Sequence, residues 1–112
     1  CANNLLTSLD VSQDDDLTFL DCTRNNITSL DLSNNPNLTT LTCWHNNLTS
    51  LDLRNGNNAG ISLIHGWIQG NWNWFMTVYV DDIAVANAKV ASGEWDFCSN
   101  LSGCAGNYVF SL

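Results

Sequence analysis

Cys1, Cys22 and Cys43 recur at one fixed interval, while Cys98 and Cys104 stand off that spacing in the stretch CSNLSGC. Thiols offer three chemistries: nucleophilic attack beside a base, metal ligation and disulfide formation. The only imidazoles are His45 and His65. Cys43 and His45 are near neighbours in the chain, which suggests a thiol–imidazole pair until the backbone is considered. In the strand expected there Cys43 faces the core, and nothing orients His45 as a base. No G-x-S-x-G, H-E-x-x-H or phosphate-loop pattern occurs. Nor is there a C-x-x-C pair for structural zinc. The residues read as those of a non-enzyme with no cofactor and no metal. Three cysteines in one column cannot all pair, so a ladder of buried thiols is expected for Cys1, Cys22 and Cys43. Cys98 and Cys104 are the candidate disulfide, a local staple that an oxidising compartment permits.

Carboxylates form a second row. Asp10, Asp31 and Asp52 recur at the same interval as the cysteines. Like charges ~5 Å apart in water repel by only about 0.8 kcal/mol per pair, which a stacked structure tolerates. Calcium is the alternative, disfavoured because each repeat offers one carboxylate and Ser12 and Ser33 follow where further Asp would be wanted. Three basic residues against eleven acidic ones give a formal charge of −8. Nucleic acid and anionic membrane surfaces, which both select clustered Lys and Arg, are therefore not expected partners. No apolar run approaches the roughly 18 residues of a membrane helix, so no membrane insertion is expected.

These residues sit on a frame, L-x-x-L-x-L/C-x-x-N, that recurs at alternating steps of ten and eleven residues. One step of each kind makes the interval of the cysteines and aspartates. The apolar positions are Leu6, Leu9, Val11; Leu17, Leu20, Cys22; Ile27, Leu30, Leu32; Leu38, Leu41, Cys43; and Leu48, Leu51, Leu53. The fourth slot reads Asn4, Asp14, Asn25, Asn35, Asn46 and Gly56. Asn and Asp suit tight turns and satisfy backbone groups that stacking would bury. Each L-x-L/C triplet alternates in and out as a short strand must, and helical spacing is never sustained. The expectation is a mainly β solenoid with short parallel strands on two faces. One face carries Leu20-Asp21-Cys22 and Leu41-Thr42-Cys43, the other Leu9-Asp10-Val11, Leu30-Asp31-Leu32 and Leu51-Asp52-Leu53. Residues 1–60 hold the repeats. After Leu53 the frame degrades, and 61–112 is expected as a capping segment of the same domain. Strands are expected at 61–64, 76–80 and 107–112, with irregular chain over about 81–107. Because Cys1 already lies on the register, further repeats upstream are expected.

Residues 17–53, L-x-x-L-x-C-x-x-N-x-L-T-S-L-D-L-S-x-N-P-x-L, resemble the short, nested leucine-rich repeat of secreted and surface proteins of Bacteroidota-type bacteria. Residues 1–16 are similar, with Asp14-Asp15-Asp16 replacing the turn. DLRNGNNAG at 52–60 resembles the last full repeat, and Val78-Tyr79-Val80-Asp81-Asp82 with Ala86-Asn87 and Trp95 resembles the closing segment. This resemblance implies a right-handed leucine-rich-repeat solenoid, an extracellular or cell-surface location and an interaction module. It implies no particular ligand.

The letters that change between repeats are expected to point outward on the cysteine-bearing face. They are Asp21, Thr23, Arg24, Thr42, Trp44 and His45. Trp and Arg dominate binding energy more often than other types, so Trp44 leads the candidates for a protein partner. A second aromatic cluster, Trp67, Trp72 and Trp74 among Asn, Gln and Gly, is the alternative: a platform for a glycan. A spacer without any ligand is the third reading.

Overall fold

The structure, a computed structural model, describes residues 1–65, 76–97 and 108–112. It is mainly β, with two parallel four-stranded sheets and one helix. Strands β1 (Phe19–Asp21), β3 (Thr40–Thr42), β5 (Leu63–His65) and β7 (Trp95–Asp96) form the first sheet. Strands β2 (Ser29–Asp31), β4 (Ser50–Asp52), β6 (Met76–Tyr79) and β8 (Tyr108–Ser111) form the second. Successive strands thus alternate between sheets, and each pairs with the strand two further along. The sheets run without interruption from the regular frame into the C-terminal part, through β3–β5 and β4–β6.

Each three-residue strand has a buried middle residue with more exposed neighbours, the pattern that pleating imposes. Leu20, Leu41, Ile64 and Trp95 align in register across the first sheet. Leu30, Leu51, Val78 and Phe110 do so across the second. Of these, all but half-buried Phe110 are buried, and Ile61, Met76, Val80, Ala86 and Phe97 complete the C-terminal core. Burying a Leu- or Ile-sized side chain contributes about 2 kcal/mol, so these two inward rows dominate folding. The indole Nε1 of Trp95 donates to the Ile61 carbonyl at 3.0 Å, so the largest core residue buries no unpaired donor.

The asparagines hold the turns. Asn25 Nδ2 donates to Cys22 O at 2.9 Å and Cys1 O at 3.0 Å, and Asn25 Oδ1 accepts from Leu6 N–H at 3.1 Å. Asn46 repeats this with Cys43 O (3.0 Å), Cys22 O (2.9 Å) and Ile27 N–H (3.0 Å). Hydroxyls add a second stitch: Thr39 Oγ1 donates to Thr18 O at 3.0 Å and Thr49 Oγ1 to Thr28 O at 3.2 Å. The repeated aspartates close the turn after their own strand. Asp10, Asp31 and Asp52 accept from the N–H of Ser12, Ser33 and Arg54, at 2.9, 2.9 and 3.0 Å.

Several expectations are corrected. Leu9-Asp10-Val11 is not a strand; the first strand is β1, and Leu6, Leu9, Val11 and Leu17 pack half-buried against the core. Cys1 is exposed, so the buried thiols are Cys22 and Cys43. The slot given to Gly56 is filled by buried Asn55 and Asn58, because this connection is longer and accommodates a short 3-10 helix at Asn58–Gly60. Asn58 Nδ2 donates to Leu53 O at 2.7 Å, and its Oδ1 accepts from Asp81 N–H at 2.7 Å. The segment expected to be irregular contains helix α1, Ile83–Ser92. Asp82 caps it, accepting from Ala84 and Val85 N–H, and left-handed Gly93 ends it.

Candidate functional site

The outer surface of the first sheet is built by register. Phe19, Thr40 and Leu63 form one row, and Asp21, Thr42, His65 and Asp96 form the next. Beyond the strand ends the chain turns sharply. Arg24 and His45 adopt left-handed backbone angles, φ 55° and 56°, as does Asn3 at φ 60°. Asn tolerates that region; Arg and His are uncommon there and cost roughly 1–2 kcal/mol per residue. These turns stack through backbone bonds: Asn3 N–H donates to Thr23 O at 2.8 Å, Arg24 N–H to Trp44 O at 3.1 Å and Asn25 N–H to His45 O at 3.2 Å.

This stacking places the Arg24 guanidinium 5.3 Å from the centre of the Trp44 ring, within cation–π range. The His45 ring lies against the same indole, 4.5 Å between centroids. Trp44 is half-buried. A cleft of about 240 Å³ opens beside it, lined by Ala2, Asn3, Asp21, Thr23, Arg24, Thr42 and Trp44. Five of the six residues expected on this face therefore meet at one cleft, and His45 buttresses it through Trp44.

Thr23 departs from the expectation that it points outward: it is only 6% exposed. Strand alternation fails because the chain leaves extended geometry at Arg24. The Thr23 side chain, and also its N–H at 3.0 Å from Asp21 Oδ1, hold the Asp21 carboxyl below the usual carboxylate range, against partial desolvation. The Thr23 hydroxyl adjoins that carboxylate without reaching hydrogen-bond geometry with it or any other atom.

The residues of this face that went unrecognised in the sequence include Phe19, 59% exposed, and half-buried Leu63 and His65. The signal for the last two was Ile61-x-x-Ile64, which keeps the leucine spacing and puts Leu63 and His65 beside Thr40 and Thr42.

The buried thiols have no part in the surface. Burial, with the nearby Asp21 charge, pushes the Cys22 pKa up to about 11, and burial raises that of Cys43 well above the ordinary value. Among the described residues no three His, Cys, Asp or Glu side chains converge as a metal site. No helix among them is long and apolar enough to cross a membrane. The candidate disulfide Cys98–Cys104 and the candidate glycan platform Trp67, Trp72 and Trp74 lie outside the described residues. Comparison with family models, with curated proteins and with solved structures finds no match.

Proposed function

We propose that this chain is a non-catalytic recognition module, a leucine-rich-repeat solenoid of extracellular or cell-surface location. Its outer cysteine-bearing face binds a protein partner. The solenoid reading is supported by strands that alternate between two parallel sheets and pair one repeat apart, as Phe19 with Thr40 and Ser29 with Ser50. The single observation that carries the binding surface is the Arg24–Trp44–His45 stack, held by two left-handed non-glycine residues beside a cleft. Backbone strain concentrates where a surface is built for a task, and a preorganised surface lowers the entropy cost of association. A non-catalytic reading is supported by the thiols of Cys22 and Cys43, which are buried and kept protonated.

Glycan capture through Trp67, Trp72 and Trp74 is the reading to test against. Intrinsic tryptophan fluorescence is followed while soluble polysaccharides are titrated into wild type, Trp44→Ala and Trp72→Ala. Protein recognition predicts no saturable response. A saturable change that survives Trp44→Ala and vanishes in Trp72→Ala overturns it in favour of the glycan platform.

A further inference from the structure

The described residues hold three basic side chains, and two are neutralised within the chain. Lys89 pairs with Glu94, and Arg54, stacked 4.8 Å from the Tyr79 ring centre on the second sheet, pairs with Asp52. Arg24 is the exception: among the described residues no carboxylate comes within ion-pair distance of it. Asp21 lines the same cleft, yet its Oδ1 is engaged by the Thr23 N–H. Among the described residues, a chain of net charge −8 thus leaves one guanidinium unneutralised, 5.3 Å from the centre of an indole at the mouth of a cleft.

A stacked guanidinium keeps its N–H edge free, and that edge fits a carboxylate through two parallel bonds. Thr42, on the neighbouring strand, lines the same cleft and contributes a hydroxyl. Asp21 sets an upper limit on charge: an ionised carboxylate in the cleft disfavours a dianion such as phosphate more than a monoanion. The net negative charge of the chain acts over longer distances and is screened beyond about 10 Å at ~0.1 M salt, whereas the contact pair is not.

We infer that the cleft receives an aspartate or glutamate side chain of the partner protein, its carboxylate on Arg24 and its methylenes against Trp44. This rests on the proposed protein-binding face and gives that partner a chemistry.

The test follows the Arg24 Nε–H and Trp44 indole N–H signals by NMR of the labelled chain during titration with N-acetyl-glutamate N-methylamide. N-acetyl-glutamine N-methylamide and inorganic phosphate are run in parallel. The expected result is a saturable shift with the glutamate probe, at least tenfold weaker with the glutamine probe and with phosphate. It is lost in Arg24→Gln, whose remaining spectrum stays that of the folded chain. Arg24→Lys keeps the charge but loses the planar fork, and binding weakens severalfold. Equal shifts with the glutamine probe, shifts that persist in Arg24→Gln, or tighter phosphate binding would each overturn the inference. If the glutamate probe fails while partner binding still depends on Trp44, the carboxylate assignment falls and the protein-binding face stands.

Discussion

The Arg24 N–H donates to the Trp44 carbonyl at 3.1 Å while the Arg24 guanidinium stands 5.3 Å from the centre of the Trp44 ring. One backbone bond fixes the register of two stacked turns, and the side chains above it inherit that register. The proposed recognition surface is therefore a consequence of the ladder that folds the chain. Its local cost is the left-handed geometry of Arg24 and His45.

That cost is measurable. At position 24, glycine relieves the left-handed penalty and alanine does not, while both lose the cation–π contact. Arg24→Gly is expected to be more stable than Arg24→Ala by about 1 kcal/mol, with His45→Gly and His45→Ala in the same order. Urea unfolding of the four variants checks it; alanine equal to or better than glycine would remove strain from the account.

Asn46 carries three buried hydrogen bonds that join neighbouring turns. Asn46→Ala leaves the Cys43 carbonyl and the Ile27 N–H without these partners, Cys22 O keeping its bond from Asn25, and a loss of about 3 kcal/mol is expected. Exposed Asn47→Ala serves as the control, with a change under about 0.5 kcal/mol. Chemical denaturation of both variants gives the comparison.

Thiol reactivity separates Cys1 from the buried pair. At about pH 8 an alkylating reagent is expected to modify exposed Cys1 at least 100-fold faster than Cys22 or Cys43, because only thiolate reacts and burial suppresses it. Site-resolved mass spectrometry of the native chain reads the rates. Rapid native labelling of Cys22 would contradict the packed interior between the sheets.

Acid should destabilise the fold. Asp10, Asp21, Asp52 and Glu94 all have depressed pKa values, held mainly by Ser12, Thr23, Arg54 and Lys89 respectively. A carboxylate depressed in the folded state contributes stability that is present above its unfolded pKa, near 4, and lost as pH falls through the folded value. The urea midpoint is expected to hold between ~pH 7 and ~pH 5 and to fall below ~pH 4. Asp52→Asn should flatten that fall. A midpoint that rises on acidification would mean that relief of the −8 charge outweighs these local bonds.

The inward rows were legible because periodic leucines leave one solution: Leu20 and Leu41, then Leu30 and Leu51, must pair across one full repeat. Beyond Leu53 the pairing lengthens, from Ser50 with Thr77 to Met76 with Tyr108, and period alone stops predicting partners. Phe19 and His65 were missed on the outer face for different reasons. Phe19 sits just before the central leucine of its triplet, and His65 lies past the last regular step. Helix α1 left its signals in its caps, Asp82 and Gly93, but only Ala86 is buried, so no apolar stripe announces it. Thr23 escaped because alternation ends where the backbone turns left-handed, and residue types do not reveal that turn when Arg and His occupy it.

The most direct test of the recognition surface is comparative capture. Wild type, Trp44→Ala and Tyr79→Ala are immobilised at equal density and exposed to the same surface-protein extract, and bound proteins are quantified by mass spectrometry. The Tyr79 variant alters the opposite sheet, whose stacked Arg54 is already paired with Asp52. The account predicts a protein retained by wild type and Tyr79→Ala and reduced at least tenfold by Trp44→Ala. Retention unchanged in Trp44→Ala but lost in Tyr79→Ala would place recognition on the other face and contradict it.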